Sequence, residues 1–411
     1  MRALCGRLHR WLGLSSALFL LVASITGIFI SWDHELDEWL NADLFRVDSQ
    51  GSLQSPLALA ETLPEWDNRI MPTFFPLAAE AGHSLVYYIR PRLNPMTGKR
   101  FEVGFNQVFV NPVTGKVIGT RNSEAVSLDR RHLMPFIYKL HYSLQLPSFW
   151  GIDRWGKWVM GAAAMVWFFD TFLAAYLTLP PRRSASGRSY ATRWAPAWKV
   201  KFSASRFRLN YSLHLAVGLW CFVILLLIAF TSMSLNLYRE VFRPALEAVS
   251  TLTPDPFIER QPVSLIKQHK PALDFAQAVN VGQQYGDAHH WEMVASHVFY
   301  VPGWRIYGVG FGGDAPFDNG MQTRWVYFDA NDAEILGTRV PWKGTAADVF
   351  VQLQLPVHSG RILGFAGRVL MSVMGVLISA LVITGIIIWW KKRTRPTKKA
   401  GHRRPVISKA G

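Results

Sequence analysis

Four of the twelve histidines stand where imidazole chemistry could be organised. His9 lies in Leu8-His9-Arg-Trp-Leu-Gly13-Leu14 and His214 in Leu213-His214-Leu-Ala-Val-Gly218-Leu219, the same opening of an apolar stretch repeated 205 residues later. A threonine follows each by 17 residues, Thr26 and Thr231. His141 and His358 stand at the other kind of position, Leu140-His141 and Val357-His358, each shortly before another apolar stretch. A neutral imidazole offers a nitrogen lone pair without burying net charge. Two imidazoles facing each other across a helix bundle form an axial ligand pair for a haem iron. Taken singly, each histidine reads more readily as an interface residue or a carbonyl cap; recurrence at equivalent places favours ligation, with His9 facing His214 and His141 facing His358.

The elements that would position these residues are membrane spans. A bilayer crossing takes roughly 20 apolar residues of helix. Four stretches qualify, Trp11 to Trp32, Lys157 to Leu179, Leu213 to Tyr238 and Leu363 to Trp390. The first reads as a retained anchor rather than a signal peptide, because its apolar run exceeds the ~7–15 residues of a signal core and no A-x-A site closes it. The chain is half apolar, only 18% charged, yet carries a net charge of +16. Residues 1–11 hold three basic residues, 180–211 hold eight and 391–411 hold nine, with no acidic residue in any of them. Everything else is net negative, 24 basic against 28 acidic. These three segments share one side of a four-span chain, and the positive-inside rule assigns that side to the cytoplasm. The excess therefore speaks for topology and against nucleic-acid binding, while leaving contact with an anionic lipid bilayer open. Two cysteines, Cys5 and Cys221, exclude a disulfide scaffold and a cysteine-built metal cluster.

The expected division is 1–32 for the N-terminal tail and first span, 33–156 for a first outer domain, 157–179 for the second span and 180–211 for a basic loop. It continues with 212–238 for the third span, 239–362 for a second outer domain, 363–390 for the fourth span and 391–411 for a basic tail. Gln107–Gly119 and Arg324–Gly337 each read as strand, turn, strand, and end alike in Gly-Thr-Arg, 218 residues apart. Applied to His141, that offset lands one residue from His358. The unit of span, outer domain and span thus occurs twice, and repeated membrane halves place functional sites at their interface.

Other groups carry two readings each. Asp170 lies inside the second span, where a carboxylate is costly; it would hydrogen-bond a ligating histidine or pass protons, or else stand protonated or helix-paired. Arg154, Lys157, Arg361 and Arg368 flank the outer span ends and would pair with haem propionates or snorkel to headgroups. Gly360 and Gly364 read as a small-xxx-small step for close helix approach. His289, His290 and His297 read as a metal or aromatic-ligand cluster, or as a solvated sheet face.

With its Leu-His-x-x-x-Gly-Leu span openings, Pro-Val-Thr-Gly-Lys-Val-Ile-Gly-Thr hairpin and Pro356-Val-His-Ser-Gly-Arg361 approach to the last span, the sequence resembles the PepSY-associated transmembrane family over nearly its whole length. The resemblance implies a membrane protein with a four-helix all-α transmembrane bundle and two periplasmic α+β PepSY-like domains, built by internal duplication. It implies a haem-dependent ferrisiderophore reductase of the bacterial inner membrane. Two b-type haems would be ligated by His9, His214, His141 and His358, with a ferric siderophore as substrate. Span two ends Ala174-Ala175-Tyr176 where span four has Thr384-Gly385-Ile386, so the family's Thr-Gly step is missing once. The competing class is a membrane regulatory or binding protein whose outer domains restrain a peptidase or sense an envelope ligand. No G-x-G-x-x-G follows a strand, so an internal nicotinamide or flavin domain is not indicated, and the electron donor would be a cytoplasmic partner or quinol.

Overall fold

The computed structural model of the protein describes residues 1–48, 50–181, 187–264, 271–313 and 322–394. Arg182, Arg183 and the basic tail residues beyond 394 lie outside the described residues. The first half contains α1 (Arg2–Ile30), α2 (Asp33–Leu40), α3 (Ala42–Phe45), α4 (Pro56–Trp66), β1 (Ile70–Pro76), β2 (Leu85–Pro91), β3 (Gln107–Val110), β4 (Val117–Arg121), α5 (Leu133–Ser143) and α6 (Trp155–Thr178). The second half contains α7 (Tyr190–Trp194), α8 (Arg206–Trp220), α9 (Phe222–Asn236), α10 (Arg243–Glu247), α11 (Pro256–Glu259), α12 (Phe275–Ala288), β5 (Ala295–Val301), β6 (Ile306–Phe311), β7 (Arg324–Asp329), β8 (Ile335–Arg339), α13 (Ala346–His358) and α14 (Gly364–Arg393).

α1, α6 and the segment Arg361–Arg393 are each long and apolar enough to cross a membrane. The third expected span is not one straight helix. It breaks at Cys221 into α8 and α9, bent by 70°. α1 and α14 pack closely through Gly375, where a Cβ would meet the Ser24 carbonyl oxygen at 2.8 Å. Ser24 and Ser379 hydrogen-bond across that interface at 2.8 Å. α6 packs on α9 through Gly161, which faces Leu237 and Asn236. α5 and α13 lie against α1 and α9 respectively. Gly360 and Gly364 are not a helix-packing step. Both adopt positive φ, 72° and 58°, in the reversal from α13 into α14, a conformation that favours glycine.

The two stretches expected as separate α+β modules share a single sheet. Its eight antiparallel strands run β4-β3-β2-β1-β5-β6-β7-β8. Each half is a meander, and both predicted hairpins are present as β3–β4 and β7–β8. The halves join where Phe74, Phe75 and Pro76 pair with Phe299, Val298 and His297. Ile70, Pro72, Thr73 and Phe75 of β1 are buried, the alternation slipping at a bulge between Pro72 and Phe74, and Ile70 and Phe75 join the apolar face that α4 and α12 cover. The core on that face draws Leu59, Leu63, Phe75 and Tyr87 from the first half and Tyr307, Phe311 and Phe328 from the second. Two half-sized sheets would each have left an open edge at β1 or β5, and pairing them removes both.

Phe75 ties the halves together, with its ring 5.2 Å from Tyr87 and 4.9 Å from Phe275. Phe75→Ala is expected to cost about 3–5 kcal/mol, the usual range for a fully buried phenylalanine. Thermal unfolding followed by circular dichroism would show one lowered transition. A melt that splits into two steps, only one of them shifted, would contradict a shared core.

On the opposite face the sheet meets α2. Arg121 of β4 is almost wholly buried there and bonds both Asp37 carboxylate oxygens at 2.8 Å. Its Nε donates to Gln107 at 2.8 Å. The guanidinium also lies 5.6 and 5.4 Å from the centres of the Phe45 and Phe109 rings.

Candidate functional site

The four histidines come together as two pairs. The His9 and His214 ring centres are 6.3 Å apart, and those of His141 and His358 are 6.1 Å apart. His9 lies on the first turns of α1 and His214 on α8. His141 and His358 sit near the C-termini of α5 and α13, helices that dock against α1 and α9 rather than standing outside the bundle. The 17 residues from His9 to Thr26 place the two pairs roughly 25 Å apart along α1, at 1.5 Å rise per residue.

Each ring is held through Nδ1. His141 Nδ1 donates to the Ala23 carbonyl at 3.1 Å and lies 3.1 Å from the Thr26 hydroxyl. His214 Nδ1 donates to the Leu381 carbonyl at 3.1 Å and lies 3.0 Å from the Thr384 hydroxyl. A carbonyl only accepts, so in both neutral rings the proton is on Nδ1 and the lone pair on Nε2. His358 Nδ1 faces the Thr231 hydroxyl at 3.1 Å. That hydroxyl already donates to Leu227 at 2.8 Å and so accepts from the histidine. His9 differs, for its Nδ1 donates to Asp170, 3.0 and 2.9 Å from the two carboxylate oxygens. Asp170 is only 6% exposed. It stands near the level where the second half uses Leu381 and Thr384, and where the second span lacks the Thr-Gly step.

An imidazole that donates from Nδ1 keeps its lone pair on Nε2. A metal–imidazole bond is about 2 Å, and a ring centre lies about 1 Å behind its nitrogen, so two coaxial ligands put their ring centres about 6 Å apart. Both pairs meet that spacing. Among the described residues no group of three or more His, Cys, Asp or Glu side chains could hold a metal ion. A metal at either pair would need ligands beyond these side chains. Small residues flank the rings. A Cβ on Gly27 would lie 3.4 Å from His141 Cε1, and one on Gly385 would lie 3.2 Å from His214 Cε1.

The His141/His358 pair lines a cavity of about 500 Å³, in the range of small-molecule sites. Its lining is part apolar, with Phe19, Leu20, Met160, Trp167, Met374 and Ile378, and part polar, with Asp33, Tyr138, Tyr142, Lys157, Asn236 and Arg361. Arg361 Nη2 donates to Asp33 at 3.1 Å. Burial raises the Asp33 carboxyl above its ordinary value, with the Arg361 guanidinium opposing. Arg154 and Arg368 are placed differently from Arg361, since neither lines the cavity. Arg154 pairs with Glu240 at 2.7 and 2.9 Å. Arg368 bonds Glu35 and the Ser31 carbonyl and lies 4.3 Å from the Trp32 ring centre. Burial, the largest single influence, acts to raise Glu35, but the Arg368 hydrogen bond, a backbone hydrogen bond and the nearby charges of Arg368 and His34 together hold the carboxyl below its usual range.

The remaining histidine trio is scattered. His289 stacks on Tyr285 at 3.8 Å, His290 lies exposed at the end of α12, and His297 is buried on β5 against Phe74. Sequence reasoning did not find Leu381, whose contribution is a backbone carbonyl and leaves no residue-type signal, nor Asp33. A carboxylate directly after an aromatic-ended span was the available clue for Asp33. Against known protein families, the chain matches the PepSY-associated TM region over residues 6–392. No curated protein matches it.

Proposed function

The chain belongs to the PepSY-associated transmembrane family, and from that premise we propose that it is a dihaem b-type reductase of the bacterial inner membrane that delivers electrons to Fe(III)-siderophore in the periplasm. The observation that carries the reading is the pair of histidine pairs, each about 6 Å between ring centres and each ring fixed through Nδ1. On this reading the two meanders and the two histidine-bearing halves descend from one duplicated unit. The basic tail and loop segments lie in the cytoplasm by the positive-inside rule, so the sheet and the His141/His358 cavity face the periplasm. An unidentified cytoplasmic partner or quinol supplies the electrons.

When bound, haem supplies one-electron redox chemistry, which the protein tunes through ligands, hydrogen bonds and burial. His9 and His214 would hold the inner haem, and His141 and His358 the outer. Thr26, Thr231 and the Ala23 and Leu381 carbonyls fix the tautomer that leaves Nε2 free to ligate. Met160, Trp167, Met374 and Ile378 belong to the apolar part of the cavity lining. Arg361 and Lys157 are the lining cations suited to propionates. Iron is substrate here. A siderophore grips Fe(III) through hard oxygen donors and Fe(II) less well, so reduction loosens the chelate and the protein needs no iron cage of its own.

Purification after expression with adequate haem supply tests the reading. A red protein with two haems per chain and a Soret band that shifts on dithionite addition supports it; a colourless protein sinks it and leaves the regulatory class standing. Thr231→Val removes the hydroxyl that receives His358 Nδ1–H. Loss of such an orienting partner costs about 10–100-fold in metal affinity. Haem transfer to apomyoglobin should therefore speed up by about that factor at one site only.

A further inference from the structure

The two pairs differ in what holds them. Three of the four imidazoles donate Nδ1–H to neutral oxygens, of Ala23 and Thr26, of Leu381 and Thr384, and of Thr231. His9 alone donates to a carboxylate, with both Asp170 oxygens within 3.0 Å. A carboxylate draws the Nδ1 proton toward itself and makes the ring a more electron-rich ligand. Such a ligand favours the oxidised metal over the reduced one and lowers the potential. At the other pair the charge has the opposite sign. The cavity there is lined by two cations, Lys157 and Arg361, against one carboxylate, Asp33, already bonded to Arg361. A net positive surrounding favours the reduced state, which carries one positive charge fewer.

We infer that Asp170 makes the His9/His214 pair the lower-potential site of the two, so that electrons arriving at the tail end of the bundle run downhill toward His141/His358. Asp170 is a positioning residue in this scheme, acting through His9. The inference rests on the dihaem reading. It adds the order of the two potentials and the residue that sets it, which neither the family nor the histidines specify.

The test is a spectroelectrochemical titration of the full-length, haem-loaded protein in detergent. The wild type should show two one-electron waves. His358→Ala, which dismantles the outer pair, should retain the lower wave. Asp170→Asn keeps the size of the side chain and an acceptor oxygen, and should raise the lower wave by at least a tenfold change in the redox equilibrium, about 59 mV for one electron, while leaving the upper wave in place. Thr231→Asp should lower the upper wave. Retention of the higher wave in His358→Ala, or an Asp170→Asn protein whose two waves match the wild type, overturns the inference while the dihaem reading stands. If Asp170→Asn yields no folded protein, the His358→Ala titration decides alone. A wild type without haem overturns both.

Discussion

On the dihaem reading proposed above, His358→Ala is expected to halve the haem-to-protein ratio, from two per chain to one, and to abolish ferric-chelate reduction on the cavity side. The basis is geometric. The His358 and His141 ring centres lie 6.1 Å apart beside a cavity of about 500 Å³, and a haem that these two residues would hold together would lose one of its two protein ligands. His141→Ala should give the same loss, and the double variant should be no worse than either single one, because residues that act as a unit are not additive. The His9/His214 pair, roughly 25 Å away along α1, should keep its haem in all three. Pyridine haemochrome assays against protein concentration measure the stoichiometry. Unchanged stoichiometry in His141→Ala and His358→Ala would remove these residues from the ligand set, and unequal losses in the two would break the pairing.

The second large effect concerns the joint between sheet and helices. Arg121→Leu removes the cation that bonds both oxygens of Asp37 and leaves that carboxylate with the Asn41 side chain at 2.8 Å. Breaking a buried pair from one side typically costs about 3–5 kcal/mol, since the stranded charge stays behind. The Asp37→Leu/Arg121→Leu double variant should recover a substantial part of that loss, because neither charge is then left alone. A double-mutant cycle on thermal unfolding separates the two contributions. A double variant as unstable as the sum of the singles would show that the pair contributes little beyond packing against Phe45 and Phe109.

Both effects bear on what could be read from the residues alone. The 17-residue step from His9 to Thr26 and from His214 to Thr231 was visible as a repeat, and those threonines turn out to face the other two histidines. The hairpins were visible because their turns carry local chemistry, with Asn111 capping Val113 and Thr114 at 2.9 and 3.2 Å. Three features were not. The β1–β5 junction depends on pairing between distant stretches with no turn to announce it. The bend at Cys221 falls in an apolar run without proline, where periodicity reads straight through. The Asp170–His9 contact was open among several roles for the carboxylate, because a span records which residues are present and not which face they turn to a neighbour.

The β1–β5 junction also orders events during synthesis. Phe74 leaves the ribosome more than two hundred residues before its partner Phe299, and α6, α8 and α9 all emerge in between. Until then β1 presents an unpaired backbone edge beside Phe74 and Phe75, a template for pairing with other chains. The nascent protein therefore has a waiting period with a definite start and end. Co-translational quality control would act within that interval, and a stall between α9 and β5 would prolong the exposure of that edge.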